Sequence, residues 1–343
     1  LELLHRFERG PFWLPPLQSL AVIVFYLLSG FLITRTLWIR YRDPRYDFGR
    51  FFIARFCRIY PAYLAALLFV AVIDYFHRGY FPDHYHAFLN GWGEISYDWP
   101  NFITTGLMLC KAPLLGLPID WHYFLIFGSA SQFWSLPPEW WLYLTVGYVA
   151  LTLKRGRFNL RNYFVLIIFA YIPFFFLFQG NPSTGDGMSA VWLMGGLACI
   201  LHNLCRVDMR QTHVRRLIVF AAAILTLTTI FRYQIAADPY DALAAFNLAA
   251  LFLMTIWLVQ HRWGDFLALR HMRLCARFLA SYSYSLYLTH YSLVGFLNNY
   301  ALHPWVSWLL CNLLALGFAY FFEMPHRRWA TRINEWRTRG RSS

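Results

Sequence analysis

Long apolar runs alternate with short intervals rich in arginine, and this alternation sets the expected elements. About twenty consecutive apolar residues suffice for a helix to cross the hydrocarbon of a bilayer. Runs that approach or meet this length read as spans at Leu17 to Trp38, Ile59 to Phe76, Trp134 to Leu153, Tyr163 to Phe178, Met188 to Leu204, Leu217 to Phe231, Leu243 to Gln260, Phe278 to Leu297 and Pro304 to Phe322. Leu1 to Leu4 lead into His5, Arg6, Glu8 and Arg9, and Pro11, Pro15 and Pro16 then break any helix. That opening reads as the tail of a truncated span with its exit loop. The expected fold is all-α, a polytopic transmembrane helical bundle of about ten spans with the first truncated. It forms one integral-membrane domain over 1–343. Residues 77–133, aromatic and interrupted by Lys111 and Pro113, read as an outer or re-entrant segment, and 324–343 as a basic cytoplasmic tail.

The charges orient the spans. Short loops rich in Lys and Arg stay on the cytoplasmic side. The basic turn that carries Arg35, Arg40, Arg42, Arg45, Arg50, Arg55 and Arg58 is therefore placed inside. With that choice, all but Arg6, Arg9, Arg78, Lys111 and Arg232 of the 30 Lys and Arg residues fall on the inner face. One span more or fewer would scatter them over both faces. With the truncated span counted, both termini are expected on the cytoplasmic side.

Composition agrees: hydrophobic residues are 59% of 343 and charged residues 14%, outside the usual mix of a soluble domain. The formal net charge of +13 does not point to nucleic acid, because the basic residues are parted by apolar spans. Anionic lipid of the inner leaflet is the expected counter-charge. The six cysteines show neither CxxC nor Cys/His ligand spacing, so no disulfide framework and no metal site is expected.

Ionisable side chains inside spans cost a few kcal/mol and are kept mainly where they face a cavity or a partner. The candidates are Glu139 near the outer end of its span, His290 past the middle of another, Glu323 at the inner end of the last, and His5 at the end of the truncated one. Each has a plain alternative. A histidine near a span end is by default interfacial, and Glu139 can simply bond backbone groups freed by Pro137 and Pro138. Arg55 and Arg58 can serve only as orientation signals, and the aromatic residues as interfacial belt and core.

Five blocks carry a resemblance. Phe25 to Ile33 (FYLLSGFLI), Arg55-x-x-Arg58-Ile59-Tyr60-Pro61, Trp134-Ser135-Leu136-x-x-Glu139-x-x-x-Tyr143, Ser283-Tyr284-Ser285-Leu286-Tyr287-Leu288-x-His290 and Glu323-x-Pro325-x-Arg327 stand in one order across nearly the whole chain. In these blocks the chain resembles acyltransferase family 3, integral-membrane acyl-CoA-dependent O-acyltransferases of bacterial surface polysaccharides. The resemblance implies a catalytic histidine at the end of the first span, where His5 stands. It departs from the family's pattern at Glu139-Trp140-Trp141 and at Met324.

The expected chemistry is acyl transfer from a thioester to a carbohydrate hydroxyl, with acetyl-CoA the expected co-substrate and no metal. A neutral imidazole accepts the hydroxyl proton while a carboxylate orients it. His5 is the expected general base and Glu139 its partner or an acceptor-binding group. Arg55 and Arg58 are expected to hold the phosphates of the donor, and Trp134, Tyr143 and His290 the acceptor. Membrane lipid and a second copy of the chain are the remaining expected partners. A transporter or flippase of a lipid-linked sugar or acyl group is the alternative. Such proteins tend to show inverted repeats and several buried charges, and the sequence shows no repeat and few such charges. An inactive relative serving as scaffold is a third reading.

Overall fold

The computed structural model describes residues 17–90, 97–110, 125–152, 159–178, 187–205, 207–236, 240–260 and 270–339. Among the described residues the regular elements are helical. They are α1 (Leu17–Arg40), α2 (Phe48–Tyr80), α3 (Pro82–Asn90), α4 (Trp99–Gly106), α5 (Leu136–Thr152), α6 (Leu160–Phe178), α7 (Met188–Leu204), α8 (Thr212–Ala236), α9 (Ala242–Gln260), α10 (Arg270–Ala280), α11 (Ser283–Leu297), α12 (Pro304–Phe318) and α13 (His326–Arg339). A 3₁₀ turn, Ser131–Ser135, leads into α5, and a π turn, Ala319–Glu323, joins α12 to α13.

Among the described residues, five stretches are long and apolar enough to cross a membrane: Leu17–Arg40, Phe48–Tyr80, Thr212–Ile235, Ala242–Val259 and Pro304–Arg337. The apolar helices Leu160–Phe174 and Met188–Leu204 are shorter. Every complete span read from the sequence overlaps a helix, but the bounds differ for physical reasons. α2 begins at Phe48, well before Ile59, because basic residues interrupt hydropathy without interrupting helix. Asp47 caps it, its Oδ1 accepting from the Arg50 N–H at 2.9 Å. Arg55 and Arg58 therefore lie on a helix three residues apart, on one face. The run Phe278 to Leu297 is broken at Ser281–Tyr282 into α10 and α11. At 15 residues α11 is about 22 Å long, short of a ~30 Å hydrocarbon core. The stretch expected to be outer or re-entrant begins inside α2, at His77, and contains α3 and α4; residues 111–124 lie outside the described residues.

Two compact units divide the chain. One comprises residues up to Arg45 and Trp141–Leu269, the other Tyr46–Trp140 and Arg270–Ser343. In the first, α1 crosses α7 at bare backbone. A Cβ on Gly30 would stand 2.0 Å from the Trp192 carbonyl oxygen, and one on Gly195 would stand 2.1 Å from that of Leu27. Small residues permit this approach, and close packing drives helix association where lipid removes the hydrophobic drive. Phe31 fills the space beyond, against Ala198, Cys199 and Phe252.

In the second unit Phe52, Phe56 and Tyr60, spaced four apart along α2, form a stripe against Trp140, with Tyr60 and Trp140 ring centroids 4.8 Å apart. Tyr63 continues the stripe onto Phe133 at 4.8 Å. The segment that opens α5 is thereby fixed along α2. At the other end, α13 is tied to the start of α2 by a bidentate pair between Arg337 and Asp47.

Candidate functional site

The second unit gathers three of the five motif blocks at one place. Pro325 has no N–H to give and crowds the preceding turn, so the helix widens into the π turn, closed by Met324 N–H to Ala319 O at 2.7 Å. Glu323 ends that turn, buried, and its Oε2 accepts from the Ser285 N–H at 3.2 Å and the Ser285 hydroxyl at 2.8 Å. The charge of Arg58 bears on Glu323 and on His326; Arg55 and Arg327 bear on His326 as well. His326 Nδ1 lies 2.6 Å from the Glu323 carbonyl oxygen. Arg55 also lies over the Phe51 ring, 5.7 Å from its centroid. Arg58 thus acts on both the carboxylate and the imidazole, and Arg55 and Arg327 act on the imidazole.

Further along α11, a second network joins that helix to the 3₁₀ turn. Tyr287 donates to the Gln132 carbonyl at 2.5 Å, so the Ser135 hydroxyl, 2.6 Å away, donates to Tyr287. Gln132 Nε2 donates to the Leu288 carbonyl at 2.8 Å. Beside this lattice stands His290, half-buried. Its Nδ1 is 2.9 Å from the Leu286 carbonyl and 3.1 Å from that of Tyr287. Those oxygens can only accept, so the proton sits on Nδ1 and Nε2 is left as an acceptor.

Trp134 stands in the 3₁₀ turn and Glu139, 4% exposed, in the first turn of α5. Tyr143 belongs to the other unit. Its hydroxyl is 2.5 Å from Ser29 Oγ, which also accepts from Trp192 Nε1 at 3.1 Å. Two motif blocks meet there, around the Ser29-Gly30 pair. His5 lies outside the described residues, so the pairing expected between it and Glu139 is not on view.

A further group escapes the sequence reading. Asp74 lies inside the predicted span Ile59 to Phe76 and is fully buried. It accepts from the Ser129 N–H and the Ser129 hydroxyl, each at 2.6 Å. Gly128 has φ +53°, and a Cβ there would stand 2.1 Å from Asp74 Oδ2, so only glycine presents Ser129 in this way. Ser129 O in turn accepts from Ser292 of α11 at 3.2 Å. One turn after Asp74, buried His77 accepts from Asn299 Nδ2 at 3.0 Å through Nε2. Outside the spans, burial and the neighbouring Asp74 carboxylate push the Tyr85 phenol up, and burial does the same to Tyr97. The signal that could have found Asp74 is the one applied to Glu139, an ionisable residue inside an apolar run.

A family model described as an acyltransferase domain matches residues 3–324. Among curated proteins, a similar one is "Protein 2 in picA locus" of Rhizobium radiobacter, 32% identical over 143 residues, 40% of this chain and 69% of that protein. No solved structure matches. Since the family model covers nearly the whole chain, with the first four blocks and the start of the fifth, the chain belongs to acyltransferase family 3, and with its apolar helices it is an integral-membrane acyltransferase.

Proposed function

We propose that the protein carries an acyl group, acetyl in the first instance, from cytoplasmic acyl-CoA to a hydroxyl of an extracytoplasmic or lipid-linked carbohydrate in the bacterial inner membrane, with both termini cytoplasmic. The observation that carries the reading is the meeting of the Arg58, Ser285 and Glu323 blocks in one unit. Cationic forks suit the phosphates of a coenzyme A donor, because guanidinium binds phosphate through paired hydrogen bonds. Glu323, held by Ser285, fixes the helix end that carries His326 and Arg327 beside Arg55 and Arg58.

In the proposed reaction the acceptor hydroxyl oxygen attacks the thioester carbonyl carbon while its proton passes to His5. The tetrahedral intermediate collapses, the carbon–sulfur bond breaks, and the leaving thiolate takes the proton back from the imidazolium. The products are the ester and free coenzyme A, with no other reactant and no metal. Glu139 orients the imidazole or holds the acceptor. His290, with a bare Nε2, accepts a hydrogen bond from a sugar hydroxyl. Trp134 offers an aromatic face, and Tyr143, which ends the same motif, is held by Ser29.

The roles separate by kinetics. A normally inserted His5→Ala protein should lose turnover by about 10²–10⁴-fold, the usual scale of general-base catalysis, while donor binding persists. Arg58→Ala should raise KM for acyl-CoA and leave acceptor KM in place. Wild-type turnover in His5→Ala would end the base assignment, and unchanged donor affinity in Arg58→Ala would reduce that residue to a topology signal.

A further inference from the structure

α10 makes no sense as part of a membrane span. The chain turns at Ser281–Tyr282, so α10 is a separate helix of 11 residues ahead of α11. Helical register at 100° per residue places Arg270, Arg273 and Arg277 along one side, within about a 60° sector. Cys275, Phe278 and Leu279 fall on the other side, and Leu274 lies at the border between the two. All described side chains from Leu274 to Ala280 are exposed, with Leu274 at 53%, Phe278 at 55% and Leu279 at 55%. Arg277 has no ion pair among the described residues, whereas α13, the other basic helix, is anchored to Asp47 through Arg337.

We infer that α10 lies in the plane of the membrane surface, its apolar side sunk at the headgroup boundary and its three arginines on anionic phospholipid headgroups. A short helix with opposed basic and apolar sides and low net hydrophobicity has the composition of an interfacial helix. Charge decides between occupants: three arginines in one sector repel the same sector of a second copy, and a net charge of +13 makes the whole chain a poor partner for itself. An anionic leaflet attracts them, each contributing roughly a fivefold factor to seating, so about a hundredfold together. Only the two-residue turn Ser281–Tyr282 parts α10 from α11, which carries Ser285, Tyr287 and His290, so its seating sets the depth at which those groups lie. The inference rests on the membrane assignment and not on acyl transfer, and its test uses no activity.

The test labels Cys275 with an environment-sensitive fluorophore in full-length protein bearing Cys205→Ser, the other exposed cysteine. The protein is reconstituted in vesicles of phosphatidylcholine alone or with phosphatidylglycerol. The expected result is a blue-shifted probe quenched by lipids brominated high on the acyl chain, more completely in the anionic vesicles, with the increment lost at high salt. Arg270→Gln/Arg273→Gln/Arg277→Gln should abolish the increment while protease protection of the flanking spans confirms insertion. A probe equally open to aqueous iodide in both vesicles overturns the inference. So does a Cys275–Cys275 cross-link whose yield ignores lipid charge, which would make a second copy the occupant.

Discussion

The crossing of α1 and α7 gives a sharp stability prediction. Gly30→Ala adds a Cβ 2.0 Å from the Trp192 carbonyl oxygen and 3.0 Å from the Gly196 nitrogen. A carbon and a carbonyl oxygen settle at about 3.3 Å, so the helices must part by about 1 Å. Neither obstructing atom can swing away, since both are helix backbone. Overpacking of this kind costs about 1–3 kcal/mol. Parting the helices also stretches the bond from Trp192 Nε1 to Ser29 Oγ, at 3.1 Å, a loss of about 1 kcal/mol. The sum is about 2–4 kcal/mol. Gly317→Ala is the control, because a Cβ there meets nothing within 4 Å, and alanine is favoured over glycine in a helix by about 0.5–1 kcal/mol. The assay is thermal unfolding in detergent followed by tryptophan fluorescence. Gly30→Ala should melt several degrees below wild type and Gly317→Ala at or above it. Equal melting of Gly30→Ala and wild type would refute the close crossing.

Three further outcomes follow from polar contacts. Gly128→Ala should destabilise the second unit by about 2–4 kcal/mol, combining a left-handed backbone with a clash against Asp74; denaturation of the purified variant checks it, and a neutral effect would dissolve the Asp74–Ser129 clasp. Ser285→Ala removes the 2.8 Å hydroxyl bond to a buried carboxylate and should cost about 1.5–3 kcal/mol, read in the same assay, whereas Ser285→Thr should retain most of the stability. At the start of α9, hydrogen bonds from Arg232 hold the Asp241 carboxyl below its ordinary range. A depressed folded-state value means that the contribution is present above the unfolded value of about 3.9 and is lost as pH falls through the folded one. Wild type should therefore lose stability below about pH 4 more steeply than Asp241→Asn, and parallel acid profiles would contradict that.

The apolar helices were legible because hydropathy is a local property. Leu17 to Trp38, Met188 to Leu204 and Leu243 to Gln260 differ from α1, α7 and α9 by at most two residues. Where charge and helix separate, hydropathy misleads: Arg50 to Arg58 are helical residues of α2 that break the apolar run, and Ser281–Tyr282 break the helix within a run that stays largely apolar. The motif blocks were legible as strings, but their meeting was not. Ser29 and Tyr143, or Ser285 and Glu323, are brought together by helix packing over separations that no local spacing encodes. Asp74 could have been found by the test applied to Glu139, but its clasp to Ser129, in a loop that turns on a left-handed glycine, could not.

The central claim is that this chain makes an ester from a coenzyme-bound acyl group. Proteoliposomes holding the wild-type protein, supplied with acetyl-labelled acetyl-CoA at the arginine-bearing face and with surface glycan or its lipid-linked precursor at the other, test it directly. The account predicts alkali-labile label on the carbohydrate and free coenzyme A in equal amount, both absent with His5→Ala. Carbohydrate that crosses the bilayer unlabelled, with acetyl-CoA intact, would contradict it.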